Sequence, residues 1–303
     1  MSEAIEEIKE GIEPMLTRVQ MMVPIIEKIM SGEKKLSYSS LSNFIDSPKD
    51  FADYCLQKKE PTKAMIYGSM VHVLVLEPDD FLNQYYPLDD EMICMEIGGA
   101  KPRATKKYKE WKALQADLAG DKTIVSPQDY AHAKVVALNV IHNRAAARII
   151  KLCPRKEQPI SWEYLNFWWR GFIDLEGDDD IADLKTMPDA NRKKVDREIK
   201  SRKLYLQSVM YGMGAKAKAE LEGRPWKPKN HHIIAVDKLG GISCHTFDKR
   251  ILEYGMQELE FYVKKFNYAV LTEAWDSSQD FYSDRWDGTF VCEKSGAMFD
   301  AEF

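Results

Sequence analysis

Cysteine is scarce in this chain of 303 residues. The five present, Cys55, Cys94, Cys153, Cys244 and Cys292, are widely scattered and form no C-x-x-C pair. That argues against zinc and iron–sulfur sites and fits reduced thiols rather than a disulfide framework. No apolar run reaches the roughly 18 residues expected of a membrane span. No basic stretch precedes an apolar one at the N-terminus, as it would in a secretory signal. Excess positive charge is also missing. The formal net charge is -5, so any nucleic-acid surface has to be a local basic patch. We find no internal repeat and no low-complexity linker. The expectation is a soluble cytoplasmic protein that does not engage a membrane.

Core-forming residues, by contrast, are plentiful. The chain is 45% hydrophobic and 11% aromatic, with seven Trp and fourteen Tyr, ample for a packed interior. Ile5, Ile8, Ile12, Leu16, Val19, Met22 and Ile26 follow helical spacing, and Pro14 and Pro24 should kink or split that helix. Hydroxyl residues before Leu41 predict a helix start, and Ser47-Pro48 opens a second helix through Tyr54. Residues 68–78 read as a buried helix stopped by Pro78, with His72 its only strongly polar interior residue. Residues 101–112 read as a basic loop leading into a helix. Ser126-Pro127 is a good N-cap and first-turn pair for a long helix to about Ile150.

Strands should begin near Ile160, where Trp, Tyr, Phe and Ile cluster. A hairpin follows, then one long helix or a pair of helices over 190–221. Further strands fit 233–237 and 242–247, and a final helix fits 249–268. The fold class is α+β (mixed α/β): a central mixed sheet flanked by helices, with a helical N-terminal part. The expected organisation is a helical segment 1–35, a core domain 36–270 and an acidic, aromatic tail 271–303. The stretch 275–287 of that tail is a candidate docking surface.

The most informative stretch is 171–186. Asp174 ends a strand-like run, and a Gly- and Asp-rich turn leads into a strand carrying Asp183 and Lys185. Side chains alternate along a strand, so Asp183 and Lys185 share one face. If the strands pair, Asp174 comes near Asp183. Two carboxylates and an ammonium on one surface suit a divalent cation and an attacking water, as in phosphodiester hydrolysis. Gln207 and Tyr211, four apart on the next helix, share a face and can orient Lys185 or touch a phosphate. His72 is either a satisfied core histidine or a metal ligand.

Together these motifs are similar to the RecE-type exonucleases (exonuclease VIII) of the PD-(D/E)xK superfamily, which also holds lambda exonuclease and the RecB nuclease domain. The resemblance runs from about Leu36 to about Tyr268. It rests on Leu36-Ser-Tyr-Ser-Ser-Leu-Ser-Asn-Phe44, on the segment from Gly68 through His72 to Pro78, on Gly171-Phe-Ile-Asp174, on Ile181-Ala-Asp183-Leu-Lys185-Thr186 and on Gln207-x-x-x-Tyr211. Ile173 stands where the superfamily motif has Pro, and Asp183 where it often has Glu. The resemblance implies that His72, Asp174 and Asp183 surround the metal and that Lys185 positions or activates the water. Gln207 and Tyr211 would complete the site, and Glu163 matches an acidic residue that some relatives place near the metal.

The implied activity is 5′→3′ exonuclease action on linear double-stranded DNA, leaving a 3′ single strand, with Mg²⁺ as cofactor (Mn²⁺ substituting). The implied partners are double-stranded DNA ends, a single-strand annealing protein of recombination and further copies in a trimeric or tetrameric ring. Another nuclease of the superfamily and a non-catalytic DNA-binding protein stay open as alternatives. Candidate DNA contacts are Lys101, Arg103, Lys106, Lys107 and Lys109, and a second run of Arg192, Lys193, Lys194, Arg197, Lys200, Arg202 and Lys203. Tyr108, Trp111 and Trp168 are candidates for stacking on bases.

Overall fold

The computed structural model describes residues 17–57 and 59–282. In chain order the helices are α1 (Arg18–Met30), α2 (Tyr38–Asp46), α3 (Pro48–Leu56), α4 (Lys63–Leu76), α5 (Glu91–Ile97), α6 (Lys106–Ala119), α7 (Pro127–His142), α8 (Arg144–Leu152), α9 (Arg192–Ser201), α10 (Leu204–Leu221) and α11 (Lys249–Thr272). A single helical turn, Phe81–Gln84, precedes β1 (Tyr85–Pro87), which pairs in parallel with β2 (Thr123–Val125). The main sheet holds β3 (Arg155–Tyr164), β4 (Phe167–Glu176), β5 (Asp180–Thr186), β6 (Asn230–Val236) and β7 (Ile242–Thr246), in that spatial order. The fold is thus mixed helix and sheet, as the sequence suggests. Among the described residues, no helix is long and apolar enough to cross a membrane.

The chain divides into two units that interleave along the sequence. One comprises the residues up to Lys59, Ser161–Gly171 and the residues from Glu253 on; the other comprises Glu60–Ile160 and Phe172–Leu252. The first unit is held by an aromatic core. Phe44 meets Phe266 edge-on at 5.0 Å, Phe51 meets Phe266 at 5.1 Å, and Trp275 and Phe281 are buried beside them. Trp275 and Phe281, from the stretch expected to dock a partner, are therefore core residues; residues 283–287 of that stretch lie outside the described residues. Pro24 sits inside α1 without splitting it, while Pro14, Ile5, Ile8, Ile12 and Leu16 lie outside the described residues. Trp168 is half-exposed, with the Lys35 ammonium 5.3 Å above its ring.

The second unit is built on β5. It pairs in parallel with β6 from Asp180↔Asn230 to Thr186↔Val236, and antiparallel with β4 through Leu175↔Ala182 and Glu176↔Ile181. The even-numbered face of β5 supplies Ala182 and Leu184 to the core, against Leu175, Ile234 and Val236. Helix α4, apolar almost all round and capped by Thr62, buries Tyr67, Met70, Val71, Val73, Val75 and Leu76 there. Fully burying each such side chain is worth about 1.5–3 kcal/mol. Helix α4 lies close to β5: a Cβ on Gly68 would sit 2.5 Å from Thr186 Oγ1 and would force that side chain to move.

The structure departs from the sequence reading in two further places. The long helix expected to run to Ile150 breaks at Asn143, whose side chain caps α8 by accepting from the Ala145 and Ala146 amides. The sheet also begins at Arg155 rather than near Ile160.

Candidate metal centre

Five segments of the second unit meet at one point. The β4–β5 register, continued by one rung, sets Asp174 beside Asp183. Asp174 also reaches across the ladder, its Oδ2 accepting from the Leu184 amide at 2.8 Å. Both carboxylates are buried, Asp174 at 7% and Asp183 at 5% exposure. Helix α4 brings His72, whose Nε2 lies 3.1 Å from Asp174 Oδ2 and 3.6 Å from Glu157 Oε1. Lys185 stands two residues beyond Asp183 on the same strand face, its Nζ 3.0 Å from Asp183 Oδ1 and 2.9 Å from Oδ2. Helix α10 contributes Gln207, whose Nε2 donates to Asp183 Oδ1 at 3.1 Å and to the Tyr211 hydroxyl at 2.6 Å.

Each predicted residue except Glu163 falls in this cluster, with one redistribution. The three residues whose ligand atoms lie within 4.8 Å of one another are His72, Glu157 and Asp174. Asp183 is held by Lys185 and Gln207 instead. The acidic residue of β3 that joins the group is Glu157; Glu163, expected from the resemblance, is exposed on the strand and outside the group. Glu157 has φ 47°, a left-handed conformation inside a strand. That conformation is unfavourable for a residue with a Cβ. It interrupts the simple alternation of faces, so the period-two pattern of β3 does not reveal Glu157.

The electrostatics follow from the packing. Burial pushes the Glu157 carboxyl up to about 7, with Asp174, Glu77 and Asp183 adding to the rise and His72 opposing it. Burial likewise lifts Asp183 to about 6, with Asp174 adding to the effect against the Lys185 charge. Burial works against an ionised Asp174 too, but the His72 hydrogen bond and the Lys185 charge overcome it and leave its pKa lowered. For Lys185, burial disfavours the ammonium, yet Asp183 and Asp174 outweigh that and raise its pKa. His72 shows the same balance: burial opposes its cation, and Asp174 and Glu157 raise its pKa.

Two buried carboxylate oxygens in the cluster are under-satisfied: Glu157 Oε1 has no hydrogen-bond partner, with His72 Nε2 3.6 Å away, and Asp183 Oδ2 has the Lys185 ammonium at 2.9 Å and no further partner. A buried anion left so is costly. A divalent cation satisfies such oxygens, and a set of carboxylates with one imidazole suits Mg²⁺ or Mn²⁺. The residues present therefore fit a metal ion, held by His72, Glu157 and Asp174 with Asp183 alongside.

The two basic segments differ. In the first, Arg103 is paired with Asp90 at 2.7 and 2.9 Å, Lys107 with Glu96 at 2.6 Å and Lys106 with Glu110 at 3.6 Å. Tyr108 is buried and donates to Asp90, and Trp111 packs 5.8 Å from it. Much of that charge is thus neutralised locally. In the second, α9 buries Val195 and Ile199 and exposes Arg192, Lys193, Lys194 and Arg197, with Lys194 paired to Asp189.

Residues 37–279 match a family model described as a PDDEXK-like domain of unknown function (DUF3799). No curated protein matches the sequence. Among solved structures, the chain is similar to a Eubacterium rectale protein named "Putative exonuclease". The two share 14% sequence identity at a TM-score of 0.56, over 90% of this chain and 95% of the other. At that identity the likeness is one of fold.

Proposed function

The chain belongs to the PDDEXK-like family whose model spans its residues 37–279, and on that premise we propose that it is a metal-dependent deoxyribonuclease acting on the ends of linear double-stranded DNA. The observation that carries this reading is the buried, partnerless Glu157 Oε1 grouped with His72 and Asp174, with the Asp183–Lys185 ion pair beside them. His72, Glu157 and Asp174 would hold a divalent cation, which would offset the phosphate's negative charge and lower the pKa of a bound water.

The chain's own residues divide the remaining work. His72 bridges Asp174 and Glu157, its Nε2 lying against a carboxylate oxygen of each. Lys185 stays charged at neutral pH, so it stabilises the developing negative charge on the phosphate and positions the water rather than deprotonating it. Gln207 holds Asp183 Oδ1 and so ties α10 to the centre, and its amide also donates to the Tyr211 hydroxyl one turn along the same helix. The β4–β5–β6 ladder fixes both aspartates on one rigid element, as positioning catalysis requires. Resemblance to RecE-type enzymes supports 5′→3′ polarity, a 3′ single-stranded product, a homo-oligomeric ring and an annealing protein as partner.

The test uses purified protein, Mg²⁺, linear duplex labelled at the 5′ or the 3′ end, and closed circular plasmid. Loss of the linear duplex from its 5′ ends with the plasmid intact is the expected result. Plasmid nicking would replace this reading with an endonuclease. Absence of any cleavage would leave a DNA-binding or assembly role. Asp183→Ala should abolish Mg²⁺-dependent cleavage in a folded chain.

A further inference from the structure

We propose that Arg202 is a phosphate clamp for the DNA strand being cut, gripping a phosphate next to the one at the metal centre; this rests on the nuclease reading above. A cavity of about 480 Å³ opens over the centre, and His72, Lys185, Thr186, Ser69 and Arg202 are among its walls. Its size suits a nucleotide. Among the described residues its walls carry two cations and two hydroxyls and no carboxylate, while the acidic residues sit behind His72 and Lys185. Apart from Glu198, which pairs with Arg202 from outside the lining, the cationic wall lies over an acidic floor and separates two tasks: the floor takes a cation and the wall takes an anion.

The fold delivers Arg202 to that wall. It stands at the elbow between α9 and α10, directly before Lys203, whose φ of 51° is left-handed. Glu198, one turn back on α9, holds the guanidinium edge with its Oε2 2.9 Å from Nε. Lys185 is engaged by Asp183 on two oxygens and so is held at the metal centre. Arg202 faces the same cavity, and its charge opposes that of Lys185. A phosphate between them relieves that repulsion, and the planar guanidinium fork matches phosphate oxygens. The exposed cations of α9, from Arg192 to Arg197, continue the charged surface along the chain that leads to Arg202.

The test compares full-length wild type, Arg202→Ala and Arg202→Lys. Binding of a labelled duplex is measured by anisotropy with Ca²⁺ at several salt concentrations, and single-turnover cleavage is measured with Mg²⁺. Manganese titration and circular dichroism serve as controls. Arg202→Ala should weaken binding about tenfold and flatten the log–log salt slope by about 0.9, the share of one phosphate contact on duplex DNA. Arg202→Lys should restore the salt slope, because the charge remains, but only part of the affinity, because the guanidinium fork is lost. Manganese affinity should not change. An alanine variant with wild-type affinity and slope, in a chain that still cuts DNA, overturns the clamp alone. A wild type that neither binds nor cuts DNA overturns the clamp together with the nuclease reading.

Discussion

Glu157→Gln should make the metal-free protein more stable while weakening its hold on the metal. The Glu157 carboxyl is held at about 7 against an ordinary 4.5. At about 1.4 kcal/mol per pH unit, keeping it ionised costs the folded chain about 3 kcal/mol at pH 8. Partial solvent access trims this to about 2 kcal/mol. The sign follows from proton counting. Between pH 4.5 and 7 the folded state holds more of this proton than the unfolded state does. The stability present below pH 4.5 is therefore lost as pH rises through 7. Glutamine is nearly the same size, carries no charge and can donate to Asp174 or accept from His72.

In chelator at pH 8, Glu157→Gln should melt about 4–8 °C above wild type, since 1 kcal/mol shifts a unit of this size by about 2–4 °C. At pH 4.5 the two should melt together. Adding Mn²⁺ should reverse the order at pH 8, because ligand binding stabilises by about 2.7 kcal/mol at a hundred times Kd, and the variant lacks one anionic ligand. The assay is differential scanning calorimetry at the two pH values, with and without Mn²⁺. If Glu157→Gln melts at or below the wild-type temperature in chelator at pH 8, the charge on Glu157 is not a burden to the fold and the reasoning fails.

Other outcomes follow from the same geometry. Because Asp183 holds its proton up to about 6 and Glu157 up to about 7, Mn²⁺ affinity should fall as pH drops from 8 through 6. Each proton displaced should account for up to about tenfold per pH unit, read by titration calorimetry. Lys185→Ala should slow single-turnover cleavage by about 10²–10³ while retaining Mn²⁺ binding; equal cleavage rates would remove Lys185 from the mechanism. Gly177→Ala should destabilise the second unit by about 1–3 kcal/mol or more, measured by urea unfolding. A Cβ there would sit 2.1 Å from the Leu152 carbonyl oxygen, and backbone cannot rotate away as a flexible side chain can.

The sequence carried the centre where local pattern and tertiary position agree. Strand alternation puts Asp183 and Lys185 on one face, and helical spacing puts Gln207 and Tyr211 on another; the structure has both. His72 could be singled out because it is the polar exception on an otherwise apolar helix. Glu157 could not, because its left-handed backbone breaks the periodicity that would have flagged it, and the resemblance pointed to Glu163 instead. The break at Asn143 is a capping event, and Asn scores in a helical window much as its neighbours do. The neutralisation of the first basic segment depends on Asp90 and Glu96, more than ten positions from their partners, so a charge run in the sequence overstated it. The role of Gly177 depends on what arrives from elsewhere in space, the Leu152 carbonyl.

The distribution of the centre over the chain has a consequence for its biosynthesis. Its residues come from α4, β3, β4, β5 and α10, so no fragment ending before Tyr211 can assemble it. A nascent chain on the ribosome has His72, and later Glu157, outside the tunnel without the partners that would give them chemistry. The proposed nuclease activity therefore arrives late, once α10 has emerged and β6, still later in the chain, has paired with β5. Until then the emerging polypeptide is chemically harmless to the nucleic acid around it.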